Sequence, residues 1–262
     1  MNLQAFFNRI NYNGDTTPNF ETLSQLQQAF LLAVPFENLN IHMGRKITID
    51  LEQFYAKIVG ERRGGFCYEC NTLFGAVLTE LGYQVEHLSA RMKSRTTGNF
   101  GDEFDHMVLR VTLDKPYLVD VGNGQACRTP LAINVAENND HTPPNAEGFR
   151  YKIGPADDGD LALYYQGPND NDWKKRFLFT QIVYQPNDFA DKCHYQQTSP
   201  DSPFTKQRFL TIATKTGRVH LAGNTLTIIE NGQRTERQVS SDADYDACLK
   251  QYFGVDLSIQ PT

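Results

Sequence analysis

Arg62-Arg63-Gly64-Gly65-Phe66-Cys67-Tyr68-Glu69-Cys70-Asn71 is the stretch that decides the reading of this chain. Two glycines run directly into a cysteine that opens a predicted helix. Glycine lets the backbone turn tightly and lets another group approach closely. A cysteine in a first helical turn sits at the positive end of the macrodipole, which favours thiolate and is expected to lower the thiol's pKa. The same helix end offers unpaired backbone N–H groups for an oxyanion. A buried cysteine is more often a small core residue than a nucleophile. The glycine pair ahead of Cys67 favours the chemical reading.

Cys67 and Cys70 also form a C-x-x-C pair. A thioredoxin-like redox site opens a helix with such a pair but follows a βαβ pattern, and here helices precede it. A structural zinc site needs two more ligands. Cys193-His194 are adjacent rather than spaced to share a tetrahedral ion, so no metal is expected. Cys70 lies three residues after Cys67 on nearly the same helix face. It either fills core volume or resolves an oxidised Cys67 as a disulfide; buried cysteines are usually inert, which favours the core role.

Outward from this stretch, the chain before it reads as helical. Leu23, Leu26 and Phe30 are helically spaced within residues 22–31, and the pattern stops before Pro35. Asp50 is a good N-cap for a helix carrying Leu51, Phe54, Tyr55 and Ile58 and ending at Gly60. The helix from Cys67 turns Phe74, Val77, Leu78 and Leu81 inward and stops at Gly82. Beyond Gly82 the period shifts towards two. Strands are expected over 84–91, 105–111, 117–121, 149–153, 161–166 and 177–184. Residues 138–147, with Pro143-Pro144, read as an exposed loop. Asp157-Asp158-Gly159-Asp160 reads as a turn, because the spacing and closing Glu of a calcium loop are missing. Strands at 209–214 and 225–230, a hairpin turn at Asn231-Gly232 and a closing helix over 242–252 complete the chain.

Composition bounds the function. The 262 residues carry 25 Lys+Arg against 31 Asp+Glu, a net charge of −6, and no basic cluster, which argues against nucleic acid as the main partner. No apolar run approaches the roughly 20 residues that span a bilayer, and Met1-Asn2-Leu3-Gln4-Ala5-Phe6-Phe7 lacks the features of a signal peptide. Five cysteines, odd in number and irregularly spaced, do not form a disulfide framework. A reduced, cytoplasmic protein is expected.

A thiolate nucleophile needs a base, and the base an orienting group. Of six histidines, His106 stands out because it begins the strand-like run His106-Met107-Val108-Leu109-Arg110-Val111. The next run, Tyr117-Leu118-Val119-Asp120-Val121-Gly122, holds a lone carboxylate that is costly to bury unless paired. If the two runs are antiparallel neighbours, His106 and Asp120 sit side by side. Alternatively, Asp120 merely caps the turn before Gly122-Asn123-Gly124. Periodicity leaves both open.

The order Cys67, His106, Asp120 resembles the catalytic triad of the arylamine N-acetyltransferase family. The flanking residues Arg63-Gly64-Gly65-Phe66-Cys67-Tyr68-Glu69 with Asn71, Asp105-His106-Met107 and Val119-Asp120-Val121-Gly122 resemble it too. Val34-Pro35-Phe36-Glu37-Asn38-Leu39 is similar to the family's N-terminal motif, and Ser199-Pro200 to Phe209 to its C-terminal signature. The resemblance implies an α+β, cysteine-protease-like fold: a helical bundle (1–83) carrying the nucleophile, a central β-barrel (84–190) carrying His and Asp, and a C-terminal α/β lid (191–262). It implies acetyl-CoA as co-substrate, an acetyl-cysteine intermediate, and an arylamine, hydrazine or N-hydroxyarylamine acceptor, the chemistry of xenobiotic metabolism. Gly122, Asn123 and Gly124 would lie beside the CoA tail; Phe36, Phe66, Tyr68 and Asn123 would line the acceptor pocket. Two positions depart from the family pattern. Cys70 replaces a usual Leu or Gln, and Asn123 replaces an aromatic residue, which shifts preference from bulky apolar arylamines towards small or polar acceptors. Alternatives are an amide synthase closing a macrolactam, a Cys-His-Asp peptidase or transglutaminase-type enzyme, and a redox sensor built on Cys67 and Cys70.

Overall fold

The change of hydrophobic period at Gly82 is where helices give way to sheet. The computed structural model describes residues 1–94, 96–124, 127–133, 141–156 and 159–258. Helices α1 (Leu3–Arg9), α2 (Phe20–Ala33), α3 (Leu39–His42), α4 (Leu51–Tyr55) and α5 (Cys67–Glu80) come first, interrupted by a short strand β1 (Phe36–Glu37). Strands β2 (Gln84–Met92), β3 (His106–Thr112), β4 (Pro116–Val119), β5 (Leu131–Ala132), β6 (Arg150–Pro155), β7 (Leu161–Gln166) and β8 (Lys174–Tyr184) follow. The chain closes with α6 (Ala190–Thr198), α7 (Pro203–Lys206), β9 (Phe209–Thr214), β10 (Gly217–Ala222), β11 (Thr225–Glu230), β12 (Gln233–Gln238) and α8 (Asp242–Cys248).

The expected cap at Asp50 forms, and Asn19, not singled out in the sequence, caps α2. Asn19 accepts a hydrogen bond from Thr22 N at the start of α2, and Asp50 accepts from Glu52 N and Gln53 N at the start of α4. The helix expected to run unbroken to Gly60 is instead α4 followed by a wide π turn over Ala56–Gly60. Arg9 accounts for the backbone there. Its buried guanidinium donates to Ile58 O at 2.7 Å, to Ala33 O at 2.7 Å and to Arg63 O at 2.9 Å. One side chain thus joins the end of α2, the π turn and the approach to Cys67. The closing helix likewise ends in a π turn, Leu249–Phe253, after α8.

Seven antiparallel strands form a nearly closed barrel in the order β5-β4-β3-β2-β8-β7-β6. β3 is buried on both faces. Leu109 and Val111 pack on the helical core with Phe74, Val77 and Leu78, while Val108 packs inside the barrel with Leu88, Phe177 and Phe179. A second sheet runs β1-β9-β10-β11-β12, so two residues from the helical region form the edge of the C-terminal sheet. Among the described residues, no helix is long and apolar enough to cross a membrane. The turn proposed at 157–160 and the loop at 138–147 fall partly outside the described residues. Glu147, expected on an exposed loop, is instead buried against two arginines.

Candidate active site

Cys67 begins α5 because the two residues before Phe66 carry no side chain. A Cβ on Gly64 would lie 1.9 Å from the Pro35 carbonyl oxygen. The bare backbone instead docks beside the Pro35-Phe36-Glu37 segment, with Gly65 N donating to Pro35 O at 3.3 Å and Glu37 N to Gly65 O at 3.0 Å. The helix start is then capped by Glu69, which accepts from Phe66 N at 3.0 Å. Behind it lies a buried ion cluster. Lys57 reaches Glu69 at 2.7 Å and Glu37 at 3.6 Å, and Arg63 reaches Glu37 at 2.9 Å.

The histidine and aspartate singled out in the sequence come from the barrel. β3 starts at His106 and β4 ends at Val119, and their antiparallel register pairs Leu109 with Val119. His106 and Asp120 therefore meet at one end of the sheet, with Nε2 to Oδ2 at 2.8 Å. Asp120 Oδ1 accepts from Gly122 N at 2.9 Å and Asn71 Nδ2 at 3.1 Å. Both readings of Asp120 thus hold: it faces the histidine and caps the turn. Asn71 also donates to Met107 O at 2.7 Å and accepts from Val121 N at 3.0 Å, stapling α5 to both strands. Gly122 completes the join; a Cβ there would lie 2.6 Å from Cys67 Cα.

The electrostatics of the three groups differ. Burial would raise the Asp120 carboxyl, but the facing His106, the Asn71 amide and Gly122 N–H outweigh it and hold the pKa below its ordinary value. Cys67 goes the other way. Burial pushes its thiol well above the ordinary range, Asp120 and Cys193 add to the rise, and the backbone N–H groups of Met107 and Tyr68 oppose it. This corrects the expectation that the helix end alone lowers the Cys67 pKa. Desolvation of a residue 2% exposed outweighs the two amides.

Phe66 and Tyr68 are fully buried beside Cys67 and pack edge to face at 5.0 Å. Tyr68 hydroxyl donates to Phe104 O at 2.7 Å, so the residue after the cysteine holds the loop two residues before His106. Phe36 is half-buried against Phe204 and Phe209, at 6.3 and 5.7 Å between ring centres. Sequence reasoning passed over Phe204 and Phe189 of this cluster and weighed Cys193 only as a zinc ligand. α6, with only Cys193 and Gln196 buried, gives no apolar stripe from which to read it. Phe177 packs against the His106 ring at 5.4 Å. Cys70 separates from Cys67: it packs in the core of α1, α2 and α5, its thiol donating to Gly65 O at 3.3 Å. Asn123 is buried, and its Oδ1 accepts from Arg176 Nη2 at 3.0 Å. Among the described residues, no group of three His, Cys, Asp or Glu side chains is placed to hold a metal.

Comparison with known proteins agrees with this geometry. A family model described as N-acetyltransferase matches residues 19–262. Arylamine N-acetyltransferase, pineal gland isozyme NAT-10, of Gallus gallus is 34% identical, covering 98% of this chain and 95% of the relative. The arylamine N-acetyltransferase of Mycobacterium marinum in complex with CoA superposes with a TM-score of 0.87 at 29% identity, covering 98% of this chain and 94% of the other. That from Bacillus cereus, described as having a unique Cys-His-Glu catalytic triad, gives 0.84 at 25% identity, covering 97% and 98% of the two chains. With the likeness running over nearly the whole length of both partners, the chain belongs to the arylamine N-acetyltransferase family of acyltransferases.

Proposed function

We propose that the chain moves an acetyl group from acetyl-CoA to an arylamine, hydrazine or N-hydroxyarylamine, by way of acetyl-Cys67. The observation that carries this reading is the Asp120 carboxylate. One oxygen is occupied by Asn71 and Gly122, and the other faces His106 Nε2 at 2.8 Å. A carboxylate kept ionised there holds the proton on Nε2, so Nδ1 is the nitrogen free to act as base. A thiol raised by burial gives up its proton only as that proton passes to the imidazole, and the thiolate then forms beside an imidazolium that Asp120 stabilises.

The thiolate attacks the thioester carbonyl, and backbone N–H groups at the start of α5 hold the oxyanion. Collapse expels CoA, which takes its proton from His106. The acceptor nitrogen then attacks acetyl-Cys67, loses its proton to His106, and the Cys67 sulfur leaves. Phe36, Phe66, Tyr68 and Asn123 form the acceptor side of the cleft, and the Gly122–Gly124 turn faces the CoA tail. We divide the chain into a helical bundle (1–83), a barrel (84–190) and a C-terminal lid (191–262), with the triad at the junction of the first two. Free, buried cysteines are consistent with a reducing compartment, and we place the reaction in the cytoplasm.

Incubation with acetyl-CoA alone, followed by intact mass, tests this. The enzyme should gain one acetyl group on Cys67, and an arylamine or hydrazine should discharge it. Cys67→Ser should gain none, because a hydroxyl at neutral pH is a far poorer nucleophile than a thiolate. An unlabelled wild-type enzyme would favour a peptidase or a macrolactam-forming amide synthase instead. Acetylation that survives Cys67→Ser and is lost in Cys70→Ser would overturn the choice of nucleophile.

A further inference from the structure

Phe104, two residues before His106, has a left-handed backbone with φ at 63°, a conformation that a bulky residue keeps only under constraint. Its surroundings supply the constraint. Its N–H donates to Ser89 Oγ on β2 at 2.7 Å, and its carbonyl accepts from the Tyr68 hydroxyl on α5 at 2.7 Å. Its ring lies edge to face against Tyr184 and Phe189, at 4.8 and 5.1 Å between ring centres. A further hold falls on Asp105, which joins Phe104 to His106. The Asp105 carboxylate meets Lys192 Nζ at 3.0 Å and accepts from Gln196 Nε2 at 3.2 Å, both on α6. Lys192 also reaches Asp102 at 2.9 Å, but the Asp102 side chain is 87% exposed against 16% for Asp105. Solvent screens the first pair, so the second is the one that constrains the loop.

A strained residue persists only where its neighbours over-determine it, so each hold is felt by the residues that follow. Burial pushes the Asp105 carboxyl up, and Lys192 is the main group that pulls it back. Without that cation the carboxylate would be left partly buried and unpaired, which is costly. Turning out to water would relieve it and would let Phe104 relax to an ordinary backbone. His106, the next residue along, would move with them. We propose that Lys192 is a positioning residue for acetyl transfer: through Asp105 it keeps Phe104 in its left-handed conformation and so holds His106 in place. This rests on the acetyl-transfer reading above, in which His106 carries the protons.

The test measures single-turnover acetylation of the enzyme over a range of acetyl-CoA concentrations. Lys192→Met keeps the apolar stem and removes the charge. We expect its limiting rate to fall by about tenfold to a hundredfold, the size of a displacement of order 1 Å at the reacting groups, with the half-saturating acetyl-CoA concentration little changed. Lys192→Arg, which keeps a cation for Asp105, should regain most of the rate. Asp105→Asn breaks the same contact from the other side, and joined to Lys192→Met it should cost little more than either change alone. An unfolded share of any variant lowers the amplitude of the reaction and not its rate constant, so partial destabilisation does not mask the result. An unchanged limiting rate, a loss seen only as a raised half-saturating concentration, or a loss that arginine does not restore would show that Lys192 merely fastens α6 to the loop. Wild-type enzyme that takes up no acetyl group would fail the acetyl-transfer reading instead, before any variant is compared.

Discussion

Two buried charge clusters flank the cleft, and they are built differently. Behind Cys67, Glu37 and Glu69 face Lys57 and Arg63, two anions to two cations. Each carboxylate also takes a backbone N–H, from Leu39 at 2.6 Å and from Phe66 at 3.0 Å. Beside Gly124, Arg128 and Arg218 share one carboxylate among the described residues, Glu147, and Arg128 leans otherwise on the Thr214 and Gly217 carbonyls. The balanced cluster is a scaffold whose charges are spent on one another. The other holds two cations on one anion and several backbone carbonyls. Both clusters are buried, the one behind Cys67 the more deeply, and they differ in stoichiometry as well as in depth.

Asp120→Asn should have the largest effect and sharpens that contrast, because Asp120 is a satisfied carboxylate with one oxygen committed to catalysis. We expect kcat to fall by about 10⁴-fold, since an amide favours the wrong tautomer of His106. Stopped-flow release of CoA would check this; an active variant with normal pH dependence would demote Asp120 to a turn cap. Its stability contribution has a defined sign. The folded pKa lies below the ordinary value of 3.8, so the contribution is full above the ordinary carboxyl range and is lost as pH falls through the folded value. Urea unfolding of Asp120→Asn should therefore show a weaker acid dependence than the wild type.

Glu69→Gln comes next. It strips one partner from the balanced cluster and uncaps α5, and it should cost about 3–5 kcal/mol in urea unfolding. The double change Lys57→Met with Glu69→Gln should cost less than the sum of the single changes, a coupling that a double-mutant cycle reads directly. Strict additivity would show that the cluster is not a unit. Glu147→Gln should cost less than Glu69→Gln, because Arg128 keeps its bonds to the Thr214 and Gly217 carbonyls. Equal losses in urea unfolding would erase the distinction between the clusters.

The smallest effect concerns a third solution to burial, which is to stay neutral. His87 Nε2 has no hydrogen-bond partner among the described residues and sits close to Gly75, and burial pushes the imidazole pKa down from 6.5 to about 4. A depressed folded pKa means stability that is full above the unfolded value and is lost as pH falls from about 6.5 towards 4. His87→Gln should flatten unfolding free energy over that window. Parallel curves for the two proteins would mean that His87 charges without penalty.

Much of the frame is legible in the residues. The cap at Asp50, the start of α5 and the existence of the strands β3 and β4 follow from local chemistry and period, whereas the pairing of β3 with β4 is left open by period. The elements that escape a sequence reading lack such signals. β12 has no buried residue and is betrayed only by the Asn231-Gly232 turn before it. β1 is two residues long. Within the site, Cys67, His106 and Asp120 could be picked out because each is an anomaly in its own segment. Arg128, Glu147 and Arg218 could not, since each looks like an ordinary surface charge until β10, the segment before β5 and the segment before β6 are brought together in space. The Cys67 pKa was misjudged for a related reason: the helix end is local, but the desolvation comes from elements distant in sequence.

Asn38 has a consequence in time. Its side chain accepts from Phe209 N at 2.8 Å, 171 residues on, and donates to Phe204 O at 2.8 Å and Gln207 O at 2.9 Å. β1 beside it finds its partner only when β9 exists. During synthesis, therefore, α5 and the barrel can assemble while the wall of the cleft that includes Phe204 is still inside the ribosome or beyond it. The loop that must close is long, though its entropy grows only slowly with length. Contacts so distant in sequence make for slow folding. A chain stopped before residue 209 would leave β1 without its strand and expose Phe36 to solvent. Quality control would then meet an enzyme that has its nucleophile but no finished pocket, and the last-made strands decide when that interval ends.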